Sequence, residues 1–169
     1  GRYQSLLDHL GTGKTWGLSR KRGGLKILPP FNYERDGGGV FRGKMEALAG
    51  VRSYLSTIRQ DYVAMMDGDL VVNLPLADIF ESHIKSGADI TAVCGNDSFA
   101  IENGTYFQIG QDGWITDVLY HLHTPRGYRG LEVYVLSTAL QKELVDESQA
   151  RHQYVFRRDV LHARLGQLK

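Results

Sequence analysis

The stretch from Asp61 to Val93 constrains the fold of this chain more than any other. An apolar run over Tyr62–Met66 stops at Asp67-Gly68-Asp69, a helical pattern then leads to Gly87, and a β-branched run follows over Ile90–Val93. Strand, helix and strand in this order predict two parallel strands joined by a helix. The acidic pair would lie at the carboxyl end of the first strand.

Two carboxylates, Asp67 and Asp69, flank Gly68 at that point. Ligands of open α/β sheets bind beyond the carboxyl ends of the strands. Carboxylate oxygens are the protein ligands that hold a divalent cation against phosphate oxygens. The pattern therefore predicts a site for a divalent cation and a phosphate. The alternative, that Asp67-Gly68 is only a polar turn, remains open from the local pattern.

The first part of the chain contains weaker elements. An apolar helical stripe over Leu6–Leu10 ends at Gly11, and a second helix is predicted from Lys44. Leu25–Leu28 is expected to form a short strand, closed by Pro29-Pro30.

The second part has a different character. Two alternating runs, Thr105–Ile109 and Trp114–Tyr120, are separated by a turn with Asp112-Gly113, which predicts a β-hairpin. A strand over Leu131–Leu136 and a helix capped by Ser137 follow. The whole order predicts one α/β domain, residues 1–169, with a mixed, mostly parallel sheet flanked by helices and a β-hairpin insertion.

Composition excludes several classes of protein. With 169 residues, 42% of them hydrophobic, the chain is long enough for one domain with a buried core. The net charge is +1, and the basic run Ser19–Arg22 lacks interleaved aromatic residues, so we expect no nucleic-acid partner. No apolar run approaches the roughly 20 residues of a membrane span, and we expect no membrane partner.

One cysteine, Cys94, excludes an internal disulfide and a multi-cysteine metal site, and we expect it to be a small core residue in a cytoplasmic protein. The start of the chain has no apolar signal-peptide core. Because it begins with Gly1 instead of Met and a helical pattern is already under way, we expect a fragment.

Other candidate motifs fail on spacing. Gly11–Thr15 resembles a phosphate-binding P-loop, but Asp8 stands where that motif requires glycine, and a helix precedes the loop instead of a strand. His121 and His123 alternate on one face of a predicted strand, yet no third ligand lies near them in sequence, so surface or pocket histidines are the preferred interpretation. A serine-hydrolase Gly-x-Ser-x-Gly motif is absent.

An Asp-x-Asp after a strand fits two classes of enzyme. Nucleotide-sugar glycosyltransferases of the GT-A type hold a metal and a diphosphate there, and sugar-phosphate nucleotidyltransferases carry a Gly-Asp at the equivalent place. Local spacing does not separate the two classes.

Five further motifs occur along the chain in one order: Ser5–Gly11, Gly23–Phe31, Phe41–Gly43, Asp61–Val63 followed by Gly68-Asp69, and Phe156–Leu161. In this series the chain resembles the glucose-1-phosphate adenylyltransferase (ADP-glucose pyrophosphorylase) family of bacterial glycogen synthesis. Within that family it is most similar to the GlgD-type, regulatory-like subunits.

The resemblance implies a Rossmann-like nucleotide-diphospho-sugar transferase fold. It also implies that residues 1–169 are the interior of one nucleotidyltransferase domain. The family's first strand with its glycine-rich loop would lie upstream, and its left-handed β-helix would lie downstream.

Several site residues follow from the resemblance alone. Asp69 matches the family's metal-binding aspartate, which implies Mg²⁺ at Asp69 and, more weakly, at Asp67. The family's Tyr-x-Gly-Thr-Ala loop is matched by Phe41–Met45, so Arg42 and Gly43, with Gly68 and Asp69, are expected near the nucleotide and sugar phosphate.

The chain departs from the family at four places, the first of which is the loop, where Phe41 and Lys44 replace the tyrosine and the threonine. His123-Thr124-Pro125 replaces a Glu-Lys-Pro that carries the sugar-phosphate lysine. Glu132 replaces the glycine of Met-Gly-Ile-Tyr, and Val155 replaces the second metal aspartate. Nearby arginines, above all Arg126 and Arg129 and also Arg157, are expected to restore contacts to phosphate.

These departures predict a subunit with weak or absent catalysis that assembles with a catalytic homologue, as a hetero-tetramer, and modulates it. A sugar phosphate or nucleotide is its expected ligand. Two alternatives stay open: an active adenylyltransferase making ADP-glucose from ATP and glucose 1-phosphate with Mg²⁺, and, more distantly, a GT-A glycosyltransferase.

Overall fold

A computed structural model describes residues 3–28, 41–96, 104–120 and 126–169 of the chain. It divides into two compact units, Gly1–Glu34 and Arg35–Lys169. Four features discussed above lie outside the described residues: Pro29-Pro30, His121, His123 and Thr124. None of the helices in the described part combines the length and apolar character that a bilayer crossing requires.

The first unit contains one α-helix, α1 (Tyr3–Leu10), which ends at Gly11 as predicted. A single 3₁₀ turn, Lys14–Trp16, follows. The predicted strand Leu25–Leu28 is wrong, because these residues are not in a strand. The Leu25 N–H instead donates a hydrogen bond to the Leu18 carbonyl at 2.9 Å. A short apolar run becomes a strand only when a neighbouring strand takes its backbone hydrogen bonds.

The second unit is a mixed α/β unit. Its elements, in chain order, are α2 (Lys44–Gly50), α3 (Arg52–Leu55), β1 (Tyr62–Met65), α4 (Leu76–Ser86), β2 (Ile90–Gly95), β3 (Thr105–Ile109), β4 (Ile115–Tyr120), β5 (Tyr128–Ser137), α5 (Thr138–Ala150) and a π-helical segment (Phe156–His162). The predicted β3–β4 hairpin is confirmed, and so is the end of α4 at Gly87, which adopts a left-handed conformation with φ +62°.

The five strands form one sheet around β5, and every pairing is antiparallel. The register places β1 and β3 along one edge of β5 and β2 along the other edge. The predicted mostly parallel sheet is therefore wrong for the described strands. β1 and β2 do run in the same direction, as the local pattern indicated, but β5 lies between them. The local pattern could not show this, because β5 comes from a distant part of the chain.

The core forms where helices cover this sheet. Val133, Tyr134, Val135 and Leu136 of β5 are at most 1% exposed, as expected of a strand that is covered on both faces. α5 contacts α2, α3, β1 and β5, while Phe156 of the π-helical segment contacts Tyr134 at a ring-centroid distance of 4.9 Å. Cys94 is half-buried and packs against this core as predicted, and burial raises the pKa of its thiol.

The junction between β5 and α5 connects the central strand to the helical layer. Ser137 caps α5, because its hydroxyl accepts a hydrogen bond from the Leu140 N–H at 3.1 Å. Thr138 next to it donates its hydroxyl to the Gln60 carbonyl and its N–H to the Asp61 carbonyl. These bonds hold the entrance of β1 beside the end of β5.

We expect Ser137→Ala to lower the free energy of unfolding by about 1 kcal/mol, because the first turn of α5 loses its side-chain acceptor. Urea unfolding followed by circular dichroism measures this, with Ser137→Thr as the control that keeps a hydroxyl. Identical unfolding midpoints for Ser137→Ala and the wild type would show that the cap contributes nothing.

Candidate functional site

A cleft of about 550 Å³ opens where the loop before α2, the loop after β1, the middle of β5 and the start of the π-helical segment meet. It brings together six of the eight residues expected from the sequence to contact a metal, nucleotide or phosphate, and the six are Arg42, Gly43, Asp67, Asp69, Arg129 and Arg157. Lys44, Thr105, Glu132, Val155 and Phe156 also line it. The structure thus assembles in one place residues from five separate parts of the chain.

Two predicted residues do not line this cleft. Gly68 lies between the two cleft aspartates without lining it, and Arg126 is exposed outside it. Their contacts to a nucleotide or a phosphate stay predictions.

Lys44 was not singled out from the sequence, yet its ammonium lies at the centre of the charged groups. Its Nζ lies 2.9 Å from Asp67 Oδ1 and 3.4 Å from Glu132 Oε2. It also lies 5.1 Å from the centroid of the Tyr134 ring. The Lys44 side chain is only 20% exposed. The carboxylate of Asp67, predicted as a weaker metal ligand, is therefore paired with a protein cation.

Glu132 reaches this pair from a β-bulge in β5. Val93 pairs with Val133 and Cys94 with Gly130, so Leu131 and Glu132 form the bulge in β5. Glu132 has φ +55°, in the left-handed region that normally favours glycine. This conformation costs about 1–3 kcal/mol for a residue with a side chain. The carboxylate accepts a hydrogen bond from the Thr105 hydroxyl at 2.7 Å, so it is held on the Lys44 side of the cleft.

Tyr134 forms a buried polar floor beneath these charges. It is 1% exposed, and its hydroxyl has no well-formed hydrogen bond among the described atoms. Burial raises the pKa of Tyr134 well above its ordinary value, and the carboxylates of Glu132 and Asp67 raise it further. The phenol is therefore a neutral group that stays protonated across the physiological range.

Arg42 is held at the rim of the cleft. Its Nη2 lies 2.8 Å from Glu46 Oε1, its backbone N–H donates to Glu46 Oε2 at 2.6 Å, and its guanidinium stacks 3.6 Å from the Tyr154 ring centroid. Hydrogen bonding to Glu46 raises the pKa of Arg42. This arrangement keeps one positive charge at a defined position beside the cleft.

Gly43 is required for close packing. A Cβ at this position would lie 2.1 Å from the Tyr154 carbonyl oxygen, in the segment that carries Val155 and Phe156. The adjacent Met45 N–H donates to the same carbonyl at 3.1 Å. The start of α2 is therefore tied directly to the segment on the opposite wall of the cleft.

Asp159 holds that opposite wall in place. Its Oδ2 accepts hydrogen bonds from the backbone N–H groups of Tyr154 and Val155, both at 2.9 Å. Its Oδ1 pairs with Arg158 Nε at 2.6 Å. Burial acts to raise the pKa of Asp159, but the bonds from Arg158 and the two N–H groups outweigh it and lower the pKa. The carboxylate nearest in sequence to Val155 thus has a structural role.

The donor set of the cleft does not fit the expected Mg²⁺. Mg²⁺ binds through one or two carboxylates with substrate phosphates and waters, in a near-octahedral geometry. Asp67 is in contact with the Lys44 ammonium, and the position of the second expected carboxylate is Val155. Among the described residues, no three or more His, Cys, Asp or Glu side chains are grouped so as to hold a metal ion. Asp69, which also lines the cleft, is exposed.

Sequence reasoning missed Lys44 and Asp159. One feature of the sequence could have identified Lys44, because it occupies the place of the threonine in the family's loop motif. No feature of the sequence indicates its pairing with Glu132, 88 residues away. Asp159 lies four residues after Val155, so about one helical turn separates it from the backbone N–H groups that it binds.

We expect Gly43→Ala to destabilise the protein by about 1–3 kcal/mol, because the new methyl group must displace the Tyr154 carbonyl. Gly68→Ala is the matched control, since a Cβ there meets nothing within 4 Å. Thermal or urea unfolding measures both variants. Equal loss of stability in the two variants would contradict the packing role of Gly43.

We expect the stabilising effect of Asp159 to depend on pH. Because its folded pKa lies below the unfolded value of about 3.9, its contribution is present above that value and is lost as the pH falls through the folded pKa. Asp159→Asn should therefore lose about 1–3 kcal/mol near neutral pH, and the difference from wild type should narrow as the pH falls below about 3.9.

Urea unfolding at several pH values tests this expectation. Asp146→Asn is the matched control, because Asp146 is a surface aspartate paired with Arg52 and 46% exposed. A deficit in Asp159→Asn that stays constant down to acid pH would contradict the assigned role of the charge.

Comparison with known proteins places the chain in a family. No protein-family profile matches the chain. The glycogen biosynthesis protein GlgD of Bacillus subtilis is 30% identical over 146 residues, covering 85% of this chain and 32% of that protein. The glucose-1-phosphate adenylyltransferase of Thermotoga neapolitana is 28% identical over 162 residues, covering 92% of this chain and 38% of that protein.

A solved structure, HddC from Yersinia pseudotuberculosis, superposes with a TM-score of 0.50 at 15% sequence identity. The match covers 63% of this chain and 44% of that chain, and it indicates a shared fold. The chain spans about a third of the length of the curated relatives that it matches along most of its own length. From these relatives and the motifs that the cleft assembles, the chain belongs to the glucose-1-phosphate adenylyltransferase family and is of the GlgD type.

Proposed function

We propose that this chain is part of a regulatory subunit of ADP-glucose pyrophosphorylase in cytoplasmic glycogen biosynthesis, with weak or no catalysis of its own. In the reaction of that enzyme, ATP and glucose 1-phosphate give ADP-glucose and pyrophosphate. The subunit would act by assembling with a catalytic homologue, as a hetero-tetramer, and changing its activity. The relatives named GlgD support this assignment.

The architecture of the whole protein is also a proposal. Residues 1–169 would form the interior of one nucleotidyltransferase domain with a Rossmann-like nucleotide-diphospho-sugar transferase fold. β1, α4 and β2 would be its strand–helix–strand unit, in which β5 is inserted between the strands.

The observation that supports the regulatory assignment most directly concerns the cleft wall at the start of the π-helical segment, which contains Val155 and is held by Asp159. Attack of a sugar phosphate on a nucleoside triphosphate is accelerated by cations and donors that clamp the phosphates, and no covalent intermediate is required. At the position of the second metal carboxylate the chain has valine, and the neighbouring Asp159 is committed to two backbone N–H groups and Arg158. Loss of one direct electrostatic contact costs about 2.7–4 kcal/mol of transition-state stabilisation.

The cleft keeps features suited to a phosphorylated ligand. Arg42, Arg129 and Arg157 line it, and guanidinium groups match the geometry of phosphate oxygens. A sugar phosphate or a nucleotide bound there would act as a signal to the partner, because it would contact both α2 and the π-helical segment. Arg126 remains a candidate contact at the outside of the cleft.

The test is an assay of ADP-glucose formation with the protein alone, with its catalytic homologue, and with the homologue alone. We expect little turnover from the protein alone and a change in the activity or substrate dependence of the homologue when both are present. Robust turnover by the protein alone that disappears in Asp69→Asn would overturn the regulatory assignment.

Variants at the cleft test the ligand. Arg129→Ala and Arg157→Ala should each raise the concentration of glucose 1-phosphate or ATP that the mixed enzyme needs for a half-maximal response. We expect a rise of about tenfold or more, because a hydrogen bond between charged groups is lost. Arg52→Ala is the matched control, since its surface pair with Asp146 lies outside the cleft. Equal responses of all three variants would argue against a phosphate ligand in this cleft.

A further inference from the structure

We propose that the Lys44 ammonium is a built-in cation that takes the place of a divalent metal ion in this cleft and keeps such ions from binding at Asp67. The inference deepens the proposed function and rests on it for the identity of the cleft. Its test reads metal binding and does not depend on activation of a partner.

The first support is the position of the ammonium group. Lys44 Nζ lies between two carboxylates that come from different elements, at 2.9 Å from Asp67 Oδ1 and 3.4 Å from Glu132 Oε2. A magnesium ion coordinates a carboxylate oxygen at about 2.0–2.1 Å and keeps several waters in an octahedral arrangement around it. With the ammonium in contact with Asp67, a divalent ion on the same carboxylate would meet a like charge at short range.

The second support is that the backbone at Lys44 is held in place by its neighbours. Lys44 is the first residue of α2, between Gly43, which packs on the Tyr154 carbonyl, and Met45, which is 2% exposed. The lysine side chain then extends to the face of the Tyr134 ring. An ammonium group above an aromatic ring is attracted to the ring electrons. The ammonium therefore has contacts on three sides, which distinguishes it from the mobile lysine of an ordinary surface ion pair.

The third support is the conformation of Glu132. A residue with a side chain at φ +55° is strained, and glycine would avoid that strain at this bulge. The glutamate side chain provides a carboxylate that accepts hydrogen bonds from the Thr105 hydroxyl and from Lys44. The strained position and the lysine thus form one arrangement: the acid balances the charge of the ammonium.

The charges of the cleft agree with this arrangement. Four cationic side chains line it, Arg42, Lys44, Arg129 and Arg157, against three carboxylates, Asp67, Asp69 and Glu132. Arg42 is paired with Glu46, so three cations and three carboxylates remain, and the lining is close to neutral with the lysine in place. Without the ammonium the carboxylates would be in excess, and a divalent cation would be attracted to them.

The experiment measures Mn²⁺ binding to the purified protein by the loss of the electron paramagnetic resonance signal of the free ion. The compared proteins are the wild type, Lys44→Thr, and the double variant Lys44→Thr/Glu132→Gly, which removes the ammonium together with its partner carboxylate. We expect no Mn²⁺ site at Asp67 in the wild type. We expect affinity to rise by about tenfold to 100-fold in the double variant, and the gain to vanish when Asp67→Asn is added.

Two controls make the result specific. Lys44→Arg keeps the positive charge and should stay like the wild type, and Lys142→Thr removes a lysine whose Nζ instead donates to the Ile58 carbonyl, outside the cleft. Circular dichroism and urea unfolding establish that each variant is folded. If the double variant does not fold, Mn²⁺ binding by Lys44→Thr alone is compared with that of the wild type.

Tight Mn²⁺ binding by the wild type that is lost in Asp67→Asn would overturn the proposal. A folded double variant that binds Mn²⁺ no better than the wild type would overturn it too. Either result leaves the regulatory role untouched, because that role is read from ADP-glucose formation.

Discussion

The insertion of β5 between β1 and β2 is the constraint on which the rest of this structure depends. β5 pairs with strands on both edges, and the burial of Val133–Leu136 shows that both of its faces are covered, which requires apolar side chains. The same strand delivers Glu132 to the cleft and Ser137 to the start of α5. Core packing, the helical layer and the candidate site are therefore positioned by a single element.

The cleft shows how a site can keep its shape while its charges are rearranged. α2 and the π-helical segment stay in register through Gly43, the Tyr154 carbonyl and the Asp159 carboxylate, and none of these contacts requires a ligand. Inside that frame Asp67 is neutralised by Lys44, and the bulge of β5 supplies a second acid. A binding cleft with an altered electrostatic balance suits a regulatory subunit.

Local patterns predicted the elements better than the sheet. The hairpin turn at Asp112-Gly113, the end of α4 at Gly87 and the cap at Ser137 are set by a few neighbouring residues, and all three are confirmed. The mostly parallel sheet was wrong, because strand pairing depends on residues far apart in sequence. The strand at Leu25–Leu28 was wrong for the same reason, since apolar character alone provides no partner for its backbone.

For the site, the sequence by itself determined the family, the acidic pair after β1, and the loss of the second metal carboxylate at Val155. These are matters of residue identity at positions that motifs define. Only the tertiary structure decided that Lys44 pairs with Asp67 and Glu132, because that contact joins residues 88 apart in the chain. It exists because a bulge in β5 turns Glu132 towards the start of α2, and neither the bulge nor the approach is encoded in any local spacing.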